Sequence, residues 1–447
     1  MAAVGAARKG WAATSSIRQG IKSKRHERIS RVELGPASRS AHARDFLGIT
    51  GRREMTERVY LDWNATAPLR LQAQRALQDA AGLVGNPSSV HAEGRAARRL
   101  IEQAREEVAS LVAAQPADVI FTSSGTEANM LALSPMIETA GEKRPRDRLF
   151  ISAIEHPSVR AGGRFLRGAI EDIPVETDGR VSLAALAEAV APAKTSRPLV
   201  SLMLANNETG VVQPVAEAAA IVHAAGGLLH VDAVQAAGRI ACDIRALGAD
   251  LLTLSAHKIG GAKGAGALVR GSEHIHFADP LIRGGGQERG LRAGTENVVG
   301  IAAFGAAAGA AGRQLAEEAT HMRALRTLLE EGLRTISPQA VIFGAAVERL
   351  PNTTLFALEG IKAETAIIAF DLEGIAVSAG AACSSGKVQP SHVLAAMGVS
   401  PALARGAVRL SLGWTTSEAD IERFLGAWRK LAGALSKGSK EQRGIAA

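Results

Sequence analysis

Four apolar runs in the middle of the chain each end in a cluster of polar residues, and no other feature restricts the fold as much. Leu149–Ala153 leads into Glu155-His156-Pro157, and Leu199–Ala205 into Asn206-Asn207-Glu208-Thr209-Gly210. Gly227–Val231 leads into Asp232-Ala233-Val234-Gln235, and Leu251–Ser255 into Ala256-His257-Lys258. Short, continuous apolar runs closed by turn residues read as strands buried on both faces. Helical stretches such as Val215–Ala225 lie between them, so the alternation predicts a mainly parallel sheet covered by helices. Val119–Phe121 reads as a further strand, followed by Thr122-Ser123-Ser124-Gly125-Thr126-Glu127 and a helix from Ala128. Ligands of such sheets sit beyond the carboxyl ends of the strands. The polar ends of five strands are therefore expected to converge on one cleft.

The flanks follow other patterns. Val59–Leu61 reads as a short strand with a turn-rich exit, Asp62 to Pro68, and residues 69–82 as a helix. Glu93–Ala113 is amphipathic, with Leu100, Ile101, Ala104, Val108, Leu111 and Val112 on one side. Two glycine-rich turns are expected, Gly260 to Gly266 and Gly284 to Thr295. A long helix is expected at Val299–Ile336, then strands at Thr353–Ala357, Ile375–Ser378 and Val408–Leu412, with helices at Glu364–Leu372 and Glu418–Leu435. That tail has the character of a second, α+β domain.

Charge and composition exclude several classes. The chain of 447 residues carries a formal charge of +8, but residues 1–54 hold 12 Lys or Arg against four Asp or Glu. The remainder holds 40 of each sign and is balanced, so the basicity argues against a nucleic-acid partner for the body. Two cysteines, Cys242 and Cys383, are too few for a disulfide framework and suit a reducing compartment. No paired-Cys zinc pattern, HExxH or GxxxxGK[ST] is present. The small-residue run Ala302–Gly312 is far shorter than the ~20 apolar residues of a membrane span, and no membrane partner is expected. Residues 1–54 are Arg-rich, Ser-bearing and acid-poor. They fit an organelle transit peptide, or a disordered stretch upstream of a start at Met55; the second reading is preferred.

The strand ends carry chemistry when taken together. Lysine is seldom buried. A partly desolvated Lys258 would lose its proton more easily and act as a nucleophilic amine toward an aldehyde, although the same pattern fits a solvent-facing Lys in a βα loop. The Ser-Gly-Thr turn before the helix suits a phosphate, through free backbone N–H groups and the helix dipole, and equally suits a plain N-cap. Asp232 could hold a protonated ring nitrogen, and His156 could lie flat on an aromatic ring. With Ser255 and His257 added at the phosphate, these needs are those of pyridoxal 5'-phosphate, a cofactor that carries its own electronic chemistry. Cys242 reads as a small buried hydrophobe. Cys383, among Gly, Ala and Ser, reads as an exposed nucleophile in a loop. Arg409, on a strand, reads either as a solvated charge or as a bidentate clamp for a carboxylate.

From Val59 to the final helix the sequence closely resembles the cysteine desulfurases of the NifS/IscS type, class-V aminotransferase relatives with the pyridoxal-phosphate fold type I. The carriers are Tyr60-Leu61-Asp62, Gly85-Asn86-Pro87-Ser88-Ser89, Thr126-Glu127, Glu155-His156, Asn206 to Gly210, His230 to Gln235, Ser255 to Lys258, Arg292-Ala293-Gly294-Thr295 and Ser378 to Gly386. The resemblance implies an α/β fold: a mainly parallel sheet in a large cofactor-binding domain, residues 73–315, and a smaller α+β domain, residues 55–72 and 316–447, carrying the Cys383 loop. It implies Lys258 as the Schiff-base lysine, Asp232 as the ring-nitrogen partner, His156 as the stacking and catalytic histidine, and Gln235 as the partner of the cofactor hydroxyl. Gly125, Thr126, Ser255 and His257 resemble the phosphate cup. Thr295 resembles the residue that reaches the phosphate of the other subunit, which implies a homodimer. Asn207 resembles a residue that touches both cofactor and substrate, and Arg409 the clamp on the substrate carboxylate. Trp63 and the basic extension depart from the family pattern.

The activity so implied is removal of sulfur from L-cysteine, giving L-alanine and a persulfide on Cys383. The sulfur is passed to an iron–sulfur scaffold or another acceptor protein, nitrogenase metalloclusters included. Cys383 is further implied as a transient metal ligand, sharing a 2Fe–2S cluster with that scaffold. A selenocysteine lyase or cysteine-sulfinate desulfinase uses the same fold, and an inactive binding platform is a third alternative. The bacterial cytoplasm is the expected compartment, with organelle targeting left open by residues 1–54.

Overall fold

The computed structural model describes residues 58–139, 144–191, 197–380 and 391–445, with side chains described as far as residue 433. The basic extension, with the disorder expected of it, and Cys383 both lie outside the described residues.

The elements in chain order begin with β1 (Val59–Tyr60), α1 (Leu71–Ala81), α2 (Ala92–Leu111), β2 (Val119–Thr122), α3 (Gly125–Ala132), β3 (Ile137–Thr139), β4 (Arg148–Ser152), α4 (Pro157–Arg160) and β5 (Ile170–Ile173). There follow α5 (Leu183–Val190), β6 (Pro198–Met203), α6 (Val215–Ala224), β7 (Leu228–Asp232), β8 (Leu251–Ser255), β9 (Gly266–Arg270), β10 (Ile275–Phe277) and α7 (Val298–Ile336). The chain continues through β11 (Val341–Ile342), β12 (Thr353–Ala357), α8 (Ala363–Leu372), β13 (Ile375–Ala376), β14 (Ser378–Ala379), α9 (His392–Ala396), α10 (Pro401–Ala404), β15 (Val408–Ser411) and α11 (Glu418–Ile445).

The central sheet has seven strands in the order β2-β9-β8-β7-β6-β4-β5. Strands β8, β7, β6, β4 and β5 run parallel, and β9 is antiparallel to both of its neighbours. The expected alternation is therefore present. Strand β9, however, begins inside what reads in sequence as a glycine-rich turn. Gly266 is required there because a Cβ would stand 2.4 Å from the carbonyl carbon of Ser124.

Successive side chains of a strand point to opposite faces, and here the two faces feed two cores. Phe121, Phe150, Val200, Leu202, Leu229, Val231, Leu252, Leu254 and Val269 join one cluster with α2, α6 and α7. Ile120, Leu149, Ile151, Leu199, Leu228, Leu251 and Leu268 join another with α3 and Val159. Burial on both sides is the reason these strands read as continuous apolar runs and not as alternating ones.

Helix α2 starts at an N-cap, His91, whose ring accepts from the Gly94 N–H. It buries Ala97, Ile101, Ala104 and Val108 along one stripe. Helix α7 packs there closely: a Cβ on Gly305 would lie 2.4 Å from the Ala104 Cα. By length and composition α7 could cross a membrane, but its segment Gly300–Ala311 is almost wholly buried against protein. Helix α3 begins three residues earlier than expected. Ser124 caps it by accepting from the Glu127 N–H, and Glu127 reaches back to the Ser123 N–H at 2.8 Å. This reciprocal capping draws Gly125 and Thr126 into the first turn.

The tail forms a four-stranded antiparallel sheet, β11-β12-β15-β14, while β1 pairs in parallel with β13. The single strand expected at Ile375–Ser378 is thus two short ones with different partners. The core over this sheet concentrates aromatic residues in a chain that has few: Phe356 and Trp428 meet edge to face at 5.0 Å, and Phe370 and Phe424 lie 4.9 Å apart.

Candidate active site

A cavity of about 220 Å³ opens at the carboxyl ends of the central strands. Its wall draws Ser124, Gly125, Thr126 and Asn129 from the β2–α3 junction, His156 and Ser158 from the end of β4, and Met203, Ala205 and Asn207 from the end of β6. The ends of β7 and β8 supply Asp232, Val234, Gln235, Ser255, His257 and Lys258. Nine of the residues expected from the sequence therefore share one wall: Gly125, Thr126, His156, Asn207, Asp232, Gln235, Ser255, His257 and Lys258. Gly125 has no room for a side chain, since a Cβ would meet Val234 Cγ2 at 3.0 Å and Ser255 Cβ at 3.2 Å.

A hydrogen-bonded chain runs along the β7–β4 side. Asp232 Oδ2 accepts from Asn129 Nδ2 at 2.9 Å, and Oδ1 accepts from the Val234 N–H at 3.0 Å. Asn129 Nδ2 also donates to Ser158 Oγ at 2.9 Å. Ser158 Oγ is 2.8 Å from His156 Nδ1, which accepts from the Ser158 N–H. With Nδ1 an acceptor, the proton of a neutral His156 sits on Nε2. Burial lowers the His156 pKa, the positive Lys258 and His392 lower it further, and Asp232 opposes them. Asn129 Oδ1 is buried among the described residues without a hydrogen-bond partner.

The opposite wall is roofed by the segment after β1. Lys258 Nζ donates to the Asn64 carbonyl and to the Ala65 carbonyl, the latter at 2.9 Å. Gln235 Nε2 also donates to the Asn64 carbonyl, at 3.0 Å. His257 Nδ1 is 3.2 Å from Thr66 Oγ1, and burial, with Lys258 beside it, pushes the imidazole down to about 4. The Asn64 side chain is buried and fully engaged. Its Nδ2 donates to the Asn207 carbonyl and to Thr353 Oγ1, and its Oδ1 accepts from Asn352 Nδ2.

Arg409 lies just behind Asn207. It is 2% exposed; Nη1 donates to the Asn207 carbonyl at 3.0 Å, and Nη2 pairs with Asp62 Oδ1 at 2.7 Å. Its Nε is buried with no partner among the described residues. Of the two readings open in the sequence, the solvated charge is removed by this burial. Thr295 is elsewhere: it is exposed and lines a separate cleft of about 170 Å³ with Ser123, Glu288 and Arg292. Cys383 lies outside the described residues, so its distance to Lys258 is not part of this geometry. Cys242 is buried, and burial pushes its thiol up to about 12, which makes it a poor nucleophile. Among the described residues no group of three or more His, Cys, Asp or Glu is placed to hold a metal ion.

Sequence reasoning missed Asp62, Asn64, Asn129, Glu155 and Ser158 as parts of this site. Only Asp62 and Glu155 carried a signal, each a charged residue just after an expected strand, and Glu155 is the more deeply buried. Its Oε1 accepts from Ser152 Oγ at 2.7 Å and from the Met203 N–H at 2.6 Å, while Oε2 has no partner among the described residues. Burial, assisted by Asp232, pushes its carboxyl up to about 8 from an ordinary 4.5. The folded state thus holds a proton that the unfolded chain releases, and the associated stability is complete below about pH 4.5 and is lost as pH rises through about 8. Glu155→Gln should flatten this decline. Urea titrations of the cofactor-free protein should show it more stable than wild type by roughly 1–3 kcal/mol at pH 8 and near wild type at pH 5. Parallel wild-type and variant profiles would refute the assignment.

The chain is similar to known proteins over most of its length. The Aminotransferase class-V family pattern matches residues 59–424. A cysteine desulfurase of Cereibacter sphaeroides is 43% identical over 377 residues, which span 83% of this chain and 94% of the relative. The X-ray structure of a NifS-like protein from Rickettsia africae matches with a TM-score of 0.73 and 37% identity, over 84% of this chain and 99% of the other. A structure described as SspA in complex with cysteine matches with a TM-score of 0.67 and 28% identity, over 80% of this chain and 100% of the other. With the pattern extending from the first described strand into the last helix, the chain belongs to the class-V aminotransferase family.

Proposed function

We infer that the protein is a cysteine desulfurase dependent on pyridoxal phosphate. The observation that carries this is the single cavity in which Lys258 stands with Asp232, His156 and the α3 N-terminus, with the buried Arg409 behind Asn207. The residues fit the cofactor. The glycine cradle at Gly125 and the N–H groups of the first α3 turn suit a phosphate. Asp232, fixed by Asn129 and the Val234 N–H, suits a protonated ring nitrogen. Bound there, pyridoxal phosphate supplies an electron sink for charge developing at the substrate Cα.

The protein's own residues do the rest. Gly125, Thr126, Ser255 and His257 would hold the phosphate, His156 would face the ring, and Gln235 and Asn207 would complete the cofactor's polar contacts. Lys258 would anchor the cofactor through Nζ and, as a free amine, take up the Cα proton there and later return it. Asn207 and Arg409 orient the substrate carboxylate. The Cys383 thiolate then attacks the substrate sulfur: an S–S bond forms, the C–S bond breaks with its electron pair going to carbon, and protonation there gives L-alanine. The persulfide left on Cys383 passes to a scaffold for iron–sulfur cluster assembly, where Cys383 also serves as a transient ligand to a 2Fe–2S cluster. We read the enzyme as a homodimer in which Thr295 serves the partner's phosphate, and as a protein of the bacterial cytoplasm. We assign residues 73–315 to the large domain, and residues 55–72 with 316–447 to the small one; the separate aromatic core over the tail sheet supports that division.

Incubation with L-cysteine should release alanine and leave sulfane sulfur on the protein. Selenocysteine and cysteine sulfinate as rival substrates test the lyase and desulfinase readings, and alanine formed from either of them but not from cysteine would refute ours. Arg409→Lys should raise the KM for cysteine about 10- to 100-fold, because one ammonium replaces a planar pair of donors worth roughly 1.5–3 kcal/mol. Steady-state kinetics check this, and an unchanged KM would remove Arg409 from the carboxylate site.

A further inference from the structure

One buried carboxylate lies at both points where the chain enters and leaves residues 381–390. Glu208, in the turn after β6, is 3% exposed. The turn is held by Asn206 Oδ1, which accepts from the Glu208 N–H at 2.9 Å and from the Thr209 N–H at 3.0 Å. Glu208 Oε2 accepts from Ser391 Oγ at 2.6 Å, and Ser391 Oγ in turn caps α9 by accepting from the Leu394 N–H at 3.0 Å. The same Oε2 would stand 3.1 Å from a Cβ on Gly380, so a side chain there would crowd the carboxylate. Gly380 is further tied by its N–H to the Ala407 carbonyl at 3.3 Å. Strand β14, just before it, pairs with β15 through Ser378 and Arg409. Arg409 closes the circle by donating to the carbonyl of Asn207, the residue before Glu208.

We propose that Glu208 is a positioning residue for sulfur transfer: it fastens Ser391 and abuts Gly380, the two described residues between which Cys383 lies in sequence, on the turn proposed to bear the substrate-carboxylate site. The proposal rests on the desulfurase reading. A nucleophile on a short segment attacks with an effective concentration set by where its two ends are held. Both described ends of the segment meet the Asn207 turn, next to the proposed substrate site. At Ser391, hydrogen-bond acceptance, and not charge, does the fastening. Burial pushes the Glu208 carboxyl up to about 7, with Ser391 and Arg409 pulling the other way, so both protonation states occur near neutral pH and both can accept from Ser391. A glutamine keeps the acceptor; an alanine does not.

The test uses the cofactor-loaded enzyme, with Glu208→Ala, Ser391→Ala and Glu208→Gln. Rapid mixing with L-cysteine and mass analysis of Cys383 give the persulfide rate. That rate should fall about tenfold or more in Glu208→Ala and Ser391→Ala, and stay within about threefold of wild type in Glu208→Gln. In Ser391→Ala the cysteine concentration for half-maximal rate should not change. In the cofactor-free proteins, hydrogen exchange at the Leu394 amide should speed up in both alanine variants and not in Glu208→Gln. Wild-type persulfide rates in both alanine variants, or losses confined to KM, overturn the role and leave the desulfurase reading standing. Should Glu208→Ala fail to fold, Ser391→Ala decides. Absence of any persulfide on the wild-type enzyme would instead take down the desulfurase reading, and the role with it.

Discussion

Replacing Lys258 by alanine should abolish alanine release from cysteine, by at least about 10⁴-fold, the upper end of what one acid–base group contributes. The residue is asked to do two things, and alanine removes both. On the proposed role its amine carries the cofactor, so the variant should lose the visible absorbance of bound pyridoxal phosphate on dialysis. The same proposal has Nζ move the Cα proton, so cofactor added back should bind without restoring turnover. Lys258→Arg sharpens the test. The guanidinium keeps the charge and can reach the Asn64 and Ala65 carbonyls, but it does not deprotonate in proteins and so cannot serve as an amine. It should be as inactive as alanine. Compared in the cofactor-free state, both variants should melt close to wild type, because the lysine stands at the mouth of a cavity and not within the core. An arginine variant that turned over cysteine would show that the lysine acts only as a positive charge.

The second large effect is at Cys383. Cys383→Ala should keep the visible absorbance and the spectral response to cysteine, because nothing in the cavity wall changes. It should form no persulfide, and alanine release should drop by at least about 10³-fold, since the sulfur has lost its acceptor. Mass analysis after cysteine treatment should find one added sulfur on the wild-type protein and none on the variant. Cys242 is the internal control: its thiol is buried and its proton tightly held, so it should stay unmodified in both proteins. A sulfur found on Cys242, or full turnover without Cys383, would displace the assignment.

The sequence disclosed the parts of the site that share one chain-local rule. A parallel strand buried on both faces must change character where it leaves the sheet, and His156, Asn207, Asp232, Ser255 and Lys258 all stand at or just beyond such changes. The resemblance to the NifS/IscS enzymes rests on those same stretches. What remained hidden is held together across long separations. Asn64 meets Asn207, Thr353 and Asn352 only after the tail sheet has formed, and an asparagine in a turn-rich segment announces none of this. Asn129 is equally silent, since a mid-helix asparagine gains meaning only when Asp232 and Ser158 arrive beside it. Strand β9 was concealed for a different reason. Its first residue is a glycine imposed by the close approach of Ser124, and that glycine disguises a strand start as the end of a turn. Arg105 and Glu288 show the limit most plainly. They form a buried bidentate pair that also holds the Val119 carbonyl and the Phe121 N–H, though each reads alone as an ordinary charged residue.

The roof over Lys258 has a consequence for how the enzyme is made. Asn64 takes its place through the Ser411 hydroxyl, which accepts its N–H, and through Asn352 and Thr353. The seven-stranded sheet is complete once Arg270 has left the ribosome, and with it the wall that bears Lys258. The partners that seat Asn64, and Arg409 itself, are translated later. On the proposed roles, a chain truncated before Arg409 would keep the Lys258 amine and lack the residues that hold an amino acid over it.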